Sequence, residues 1–144
     1  MTVNAQSVAR ILGGERTLGR RVRTVGDLRA AVEGGLSVQA LEVTVRHVMG
    51  TASGAVELKH RIVPKSTLQR RRRLTPEESE KLERLARMAA LAEEVWEDAE
   101  LAHEFLSSPQ PQLGGERPVD LARSDLGTRE VEDLLFRLEY ALPA

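Results

Sequence analysis

The stretch Ile62-Val63-Pro64-Lys65-Ser66-Thr67-Leu68-Gln69-Arg70-Arg71-Arg72-Arg73-Leu74-Thr75-Pro76-Glu77-Glu78 joins two kinds of sequence. Pro64 disfavours a helical conformation at Val63 and can itself lead a short helix, expected from Lys65 to about Arg72. On that helix Lys65, Ser66, Gln69 and Arg73 share one side, while Leu68 can face a core. Thr75 as N-cap, Pro76 at the first helical position and Glu78 closing a capping box predict a second, stronger helix start. Behind it Leu82, Leu85, Ala89, Ala92, Trp96 and Ala99 alternate steps of three and four. This helix is expected to reach Leu106, ahead of the breakers Pro109 and Pro111. Alanine at half of the seam suits close packing in a core better than a coiled coil.

Upstream, Thr24 caps a helix running to Glu33, with Asp27 as its first-turn acid, and Gly34-Gly35 ends it. Ser37 caps the next, whose Val38, Leu41, Val45 and Val48 draw one apolar stripe. Gly50 and Gly54 bracket a loop, and a further short helix is expected from Ser53 or Ala55 to about Arg61. Residues 1–22 hold a possible helix from Ala5 to Leu12, with Val8, Ile11 and Leu12 on one face, then Gly13-Gly14, Arg16, Arg20 and Arg21, with Arg23 just beyond. They form either a mobile basic arm or, before Gly13, a helix packed on the body. Downstream, Leu113-Gly114-Gly115-Glu116-Arg117-Pro118 is a turn into a short helix, Val119 to Arg123. After Gly127, Thr128 caps a final helix with Val131, Leu134, Leu135, Leu138 and Leu142 inward and Pro143 closing it. No strand signal outlasts four residues, so the chain is expected to be all-α.

The 144 residues suit about one domain's worth of chain, and 41% hydrophobic with 30% charged residues fits a globular protein. Aromatics are 3%, leaving Leu, Val and Ala to build the core. Without cysteine there is no disulfide scaffold, thiolate metal site or cysteine nucleophile. No apolar run nears the ~18 residues of a membrane span, and the N-terminus has no hydrophobic signal core, so a cytoplasmic protein is expected. The net charge of −1 conceals a division: residues 1–76 carry 14 Lys+Arg against 5 Asp+Glu, net +9, and residues 77–144 carry 7 against 17, net −10. A basic half favours a polyanion, and an acidic half is free to meet a protein. Mutual neutralisation of the halves is the plainer alternative.

No catalytic constellation emerges, and no enzyme, cofactor or metal is expected. Glu100 and His103 form a single Glu-x-x-His pair, whereas a carboxylate-bridged di-iron site needs two such pairs and further glutamates. The glycine pairs lack the downstream Lys-Ser/Thr of a phosphate loop. A short helix, a tight turn and a second helix rich in Lys, Ser, Thr, Gln and Arg instead describe a helix-turn-helix. Glutamine can pair with adenine and arginine with guanine, and the other cations suit phosphates. The candidate DNA-binding residues are Lys65, Ser66, Thr67, Gln69, Arg70, Arg72 and Arg73. A solvated basic helix end is the alternative.

The run from Ile62 to Arg72, then Leu74-Thr75-Pro76-Glu77-Glu78-Ser79 and Leu85-Ala86-Arg87, resembles the Xre/MbcA/ParS family of antitoxins. So do Leu113-Gly114-Gly115-Glu116-Arg117-Pro118-Val119-Asp120-Leu121, Asp125-Leu126-Gly127-Thr128-Arg129-Glu130-Val131-Glu132-Asp133-Leu134-Leu135 and Arg137-Leu138-Glu139-Tyr140. The resemblance covers roughly residues 25–142. It lacks a turn glycine at Ile62 and ends in Ala141-Leu142-Pro143-Ala144 where the family commonly has a glycine-containing tail.

The resemblance implies an Xre-like helix-turn-helix domain over 23–74, a toxin-binding domain over 75–144 and, before them, the 1–22 arm. It further implies neutralisation of a RES-domain toxin that consumes NAD, by obstruction of its nucleotide pocket, and operon repression as a homodimer within a larger toxin–antitoxin complex. Candidate toxin contacts are Arg123, Arg137, Tyr140, Leu142, Pro143 and Ala144, although local ion pairs are the more frequent role of such arginines. A stand-alone transcription regulator with a ligand-sensing or dimerising C-terminal domain is the alternative.

Overall fold

The computed structural model describes residues 3–140. Among them the chain is helical throughout, with one isolated antiparallel bridge between Ser37 and Arg73. Locally written capping boxes start two of the main helices. Thr24 Oγ1 accepts the Asp27 N–H at 3.0 Å, and the Asp27 carboxylate accepts the Thr24 N–H at 3.1 Å. These bonds start α3 (Val25–Glu33), and the same exchange between Thr75 and Glu78 starts α7 (Pro76–Trp96). Helix α7 is 21 residues, about 31 Å long, and its Leu82, Leu85, Ala86, Met88, Ala89 and Ala92 are buried. The alanines leave room for neighbours on several sides of one helix.

Those neighbours come from both ends of the chain. Helix α7 packs against α1 (Ala5–Ile11), α3, α4 (Val38–Met49) and α5 (Ala52–Ile62), and also against α8 (Ala99–Ser107) and α10 (Asp125–Tyr140). One apolar cluster therefore runs from Ala5 to Leu135. Within residues 1–22, the packed helix is what forms. Val8, Ile11 and Leu12 are buried, and Thr44 of α4 donates its hydroxyl to the Ile11 carbonyl at 3.3 Å. A second short helix, α2 (Gly14–Leu18), follows a left-handed turn at Gly13.

Among the longer helices, three boundaries depart from expectation. The helix expected between Ser53 or Ala55 and Arg61 starts earlier: Thr51 caps α5, and Gly54 lies inside its first turn, where a side chain would crowd Thr51 Oγ1 and Met49. The helix expected to run on to Leu106 breaks at Glu97, which takes a left-handed φ of +52°, and Asp98 caps α8 by accepting the Leu101 N–H at 2.9 Å. Folding back lets Ala102, Phe105 and Leu106 bury and brings the Trp96 and Phe105 rings to 5.9 Å, instead of leaving that stripe in water. The last helix begins at Asp125 and is capped by Ser124 rather than Thr128. Ser124 Oγ accepts the Gly127 N–H at 3.0 Å, and Thr128 donates its own hydroxyl to the Ser124 carbonyl at 2.7 Å.

Between α8 and α10 lie a 3-10 turn (Pro111–Leu113) and α9 (Pro118–Leu121). Helix α9 is fastened to α5 by charge. Arg117 reaches Asp120 at 2.8 Å and Glu57 at 2.7 Å, and Arg61 reaches Asp120 at 2.8 Å. Burial opposes ionisation of Asp120, but its two guanidinium partners win and hold its carboxyl below the usual value.

Candidate functional site

Two faces carry the residues singled out in the sequence. The first is the α5–α6 corner. Pro64 leads α6 (Lys65–Leu68), a single turn, so the helix expected to continue to Arg72 stops at Leu68. The chain is instead drawn out and tied to the segment before α4. The Arg72 carbonyl accepts the Val38 N–H at 2.9 Å, and the Leu74 N–H donates to the Leu36 carbonyl at 2.7 Å. The close approach requires glycine at position 35, where φ is +84° and an added Cβ would meet the Leu74 carbonyl.

The consequence for the arginines is specific. Lys65, Ser66, Thr67, Gln69, Arg70 and Arg72 are exposed. Among the described residues no ion pair holds Lys65, Arg70 or Arg72. Arg73 donates from Nη1 to the Gly35 carbonyl at 2.9 Å, so it also serves the junction. Arg71 is taken by a paired contact with Glu78 at 2.8 and 2.9 Å, and the Arg71 guanidinium lowers the Glu78 pKa. The four successive arginines thus divide into two anchors and two exposed cations, off the helix that was expected to present them.

The second face is the end of α10. Val131, Leu134 and Leu135 are buried, and Arg87 of α7 clamps the helix through Glu132 at 3.0 Å. Beyond Leu135 every described residue is exposed. Leu138, expected inward, is 41% exposed, because α10 has run past the body by that point. Phe136 and Tyr140 are 43% and 60% exposed and stack on each other, with ring centroids 6.4 Å apart and planes 10° from parallel. Arg137 is exposed beside them. Arg123 lies elsewhere, just after α9. It pairs with Glu116 at 3.2 Å and donates to the Asp120 carbonyl at 2.8 Å, the local role weighed for it. Leu142, Pro143 and Ala144 lie outside the described residues. Phe136 escaped notice in the sequence, although it follows Leu135 directly and so falls about 100° off the buried stripe.

Residues 91–141 match the model of the antitoxin Xre/MbcA/ParS C-terminal toxin-binding domain. The match takes in Arg123, Arg137 and Tyr140, together with the stacked pair. The chain is also 32% identical over 117 residues to Antitoxin Xre of Yersinia enterocolitica, an alignment covering 78% of each protein. This chain belongs to the Xre/MbcA/ParS antitoxin family. It is 35% identical over 74 residues to Antitoxin Xre of Pseudomonas putida, and that stretch spans 51% of this chain but 46% of the relative.

Elsewhere the histidines are dispersed. His47 Nε2 lies 2.9 Å from Glu93, and its ring meets His103 edge-on at 6.1 Å. The hydrogen bond to Glu93 raises the His47 pKa. Glu100 and His103 gather no third ligand, and among the described residues no group of three metal-ligating side chains forms. No described helix is long and apolar enough to cross a membrane.

Proposed function

We propose that this protein neutralises a RES-domain, NAD-consuming toxin by placing the end of α10 in the toxin's nucleotide pocket. The stacked Phe136–Tyr140 pair carries this reading. Two aromatic rings held outside the body at a helix end offer a rigid apolar anchor at low ordering cost, the kind of group that dominates binding energy once desolvated. Leu138 adds apolar surface and Arg137 a charge. The α5–α6 corner represses the operon by contacting operator DNA through Gln69, Ser66 and Thr67, with Lys65, Arg70, Arg72 and Arg73 on phosphates, and a homodimer within a toxin–antitoxin complex pairs two such corners. The split of +9 against −10 supports placing the two roles on opposite halves.

Co-expression with the neighbouring reading frame tests the first role. The neighbour alone should deplete NAD and stop growth, this chain should restore both, and Phe136→Ala with Tyr140→Ala should fail to restore them. NAD that never falls would overturn the toxin assignment.

A further inference from the structure

Arg20 and Arg73 are 53 positions apart in sequence, yet they line one cleft of about 350 Å³. Arg20 follows α2, Gly34, Gly35 and Ser37 form the floor between α3 and α4, and Arg73 closes the far side. The walls are held together at close range. Ser37 donates its hydroxyl to the Thr17 carbonyl at 3.4 Å, Ser37 and Arg73 form the isolated bridge, and Arg73 bonds the Gly35 carbonyl.

Among the described residues the cleft itself carries positive charge without an acid in its lining. Arg20 interacts electrostatically with Asp27, whose Oδ2 also accepts the backbone N–H groups of Arg23 and Thr24 at 2.9 and 3.1 Å. Of the five guanidinium donors of Arg73, one is used on Gly35. Arg16 and Arg23 stand exposed on the Arg20 side, and Arg70 and Arg72 on the other; Arg21 alone is paired, loosely, with Glu15 at 3.5 Å. Two arginines lining one polar recess fit a tetrahedral, singly charged oxyanion such as a phosphodiester.

We infer that the Arg20–Arg73 cleft seats a backbone phosphate of duplex DNA, and that the turn after α2 is thereby a second arm of the nucleic-acid face. The inference rests on the DNA-binding reading above. Four residues separate Gln69 from Arg73, a reach of at most about 14 Å. One strand presents a phosphate about every 3.4 Å of helix axis, so the cleft falls within about four nucleotides of the base contacts.

Full-length protein is titrated by fluorescence anisotropy against the duplex upstream of its gene and against a mixed-sequence duplex, across a salt series. Arg20→Ala should weaken both duplexes alike and flatten log K against log salt by about 0.9. The wild-type advantage then grows roughly 3-fold between 200 and 50 mM salt. Arg20→Lys should recover most of the slope, and Gln69→Ala should reduce only the preference for the upstream duplex. If Arg20→Ala binds with wild-type affinity and slope while Arg70→Ala weakens binding, the cleft assignment is wrong and the DNA reading survives. If the wild-type chain binds neither duplex, both fall.

Discussion

Ser79 Oγ, fully buried on α7, accepts the backbone N–H of Leu36 at 2.8 Å across 43 positions of sequence. A hydroxyl at this position is therefore not surface decoration but the partner of a loop amide that water cannot reach. Ser79→Ala should cost about 1–3 kcal/mol, the penalty of a buried donor left unpaired. Urea unfolding monitored by circular dichroism measures it, and an unchanged midpoint would show that the amide finds another acceptor.

Gly35 and Gly115 share a left-handed backbone, at φ +84° and +81°, but differ in their surroundings. A Cβ at Gly35 would lie 2.6 Å from the Leu74 carbonyl oxygen, whereas at Gly115 it meets open space. Gly115→Ala should cost about 1 kcal/mol, for the backbone alone. Gly35→Ala should cost more, because the 34–38 and 72–74 segments must also part. Equal thermal shifts for the two variants would contradict this.

On α10, Leu135 is fully buried and Leu138 is exposed. Leu135→Ala should destabilise by about 2–5 kcal/mol, and Leu138→Ala by less than about 0.5 kcal/mol. Leu138→Ala is expected to weaken capture of the toxin instead. Calorimetric unfolding of both variants checks the first contrast, and a large loss at Leu138 would put that side chain back in the core.

His47 joins α4 to α7 through Glu93, and the hydrogen bond raises its folded pKa above the ordinary 6.5 even though burial works against it. A raised folded value means that protonation favours the folded state. The contribution is complete below pH 6.5 and disappears as pH climbs through the folded value. With the His47 side chain 41% exposed, it amounts to about 0.5 kcal/mol or less. Arg10 and Glu94 also line the groove beside this pair, and His103 faces it from α8. An NMR titration of the His47 ring should give a pKa above 6.5 that drops in Glu93→Gln. A value at or below 6.5 in the wild type would sink the argument.

What could be read from sequence was what is written locally. Thr24 with Asp27, Ser37, and Thr75 with Glu78 announce helix starts within four residues, and the structure places α3, α4 and α7 there. The apolar stripes of α4 and α10 likewise fix Val45, Val48, Val131 and Leu135 inside. Thr51 and Asp98 were equally legible caps, obscured by reading Gly54 as loop and by a stripe that continued across Glu97. The end of α6 at Leu68 was not legible, because partners more than 30 residues away hold the 72–74 backbone. The convergence of Arg20 with Arg73 had no periodic signature for the same reason. Leu138 obeyed its stripe, but a stripe states which way a side chain points and not whether anything lies opposite.

The continuous core has a consequence for inheritance. Because α7 presents buried residues to α1, α3, α4 and α5 as well as to α8 and α10, the basic and acidic halves are not interchangeable cassettes. A recombinant that took its basic half from one ancestor and its acidic half from another would have to match Ser79 to the incoming Leu36 amide and the alanine seam to the incoming helices. Beyond Leu135 no described residue is committed to the core, so the projecting end of α10 can change without disturbing that match.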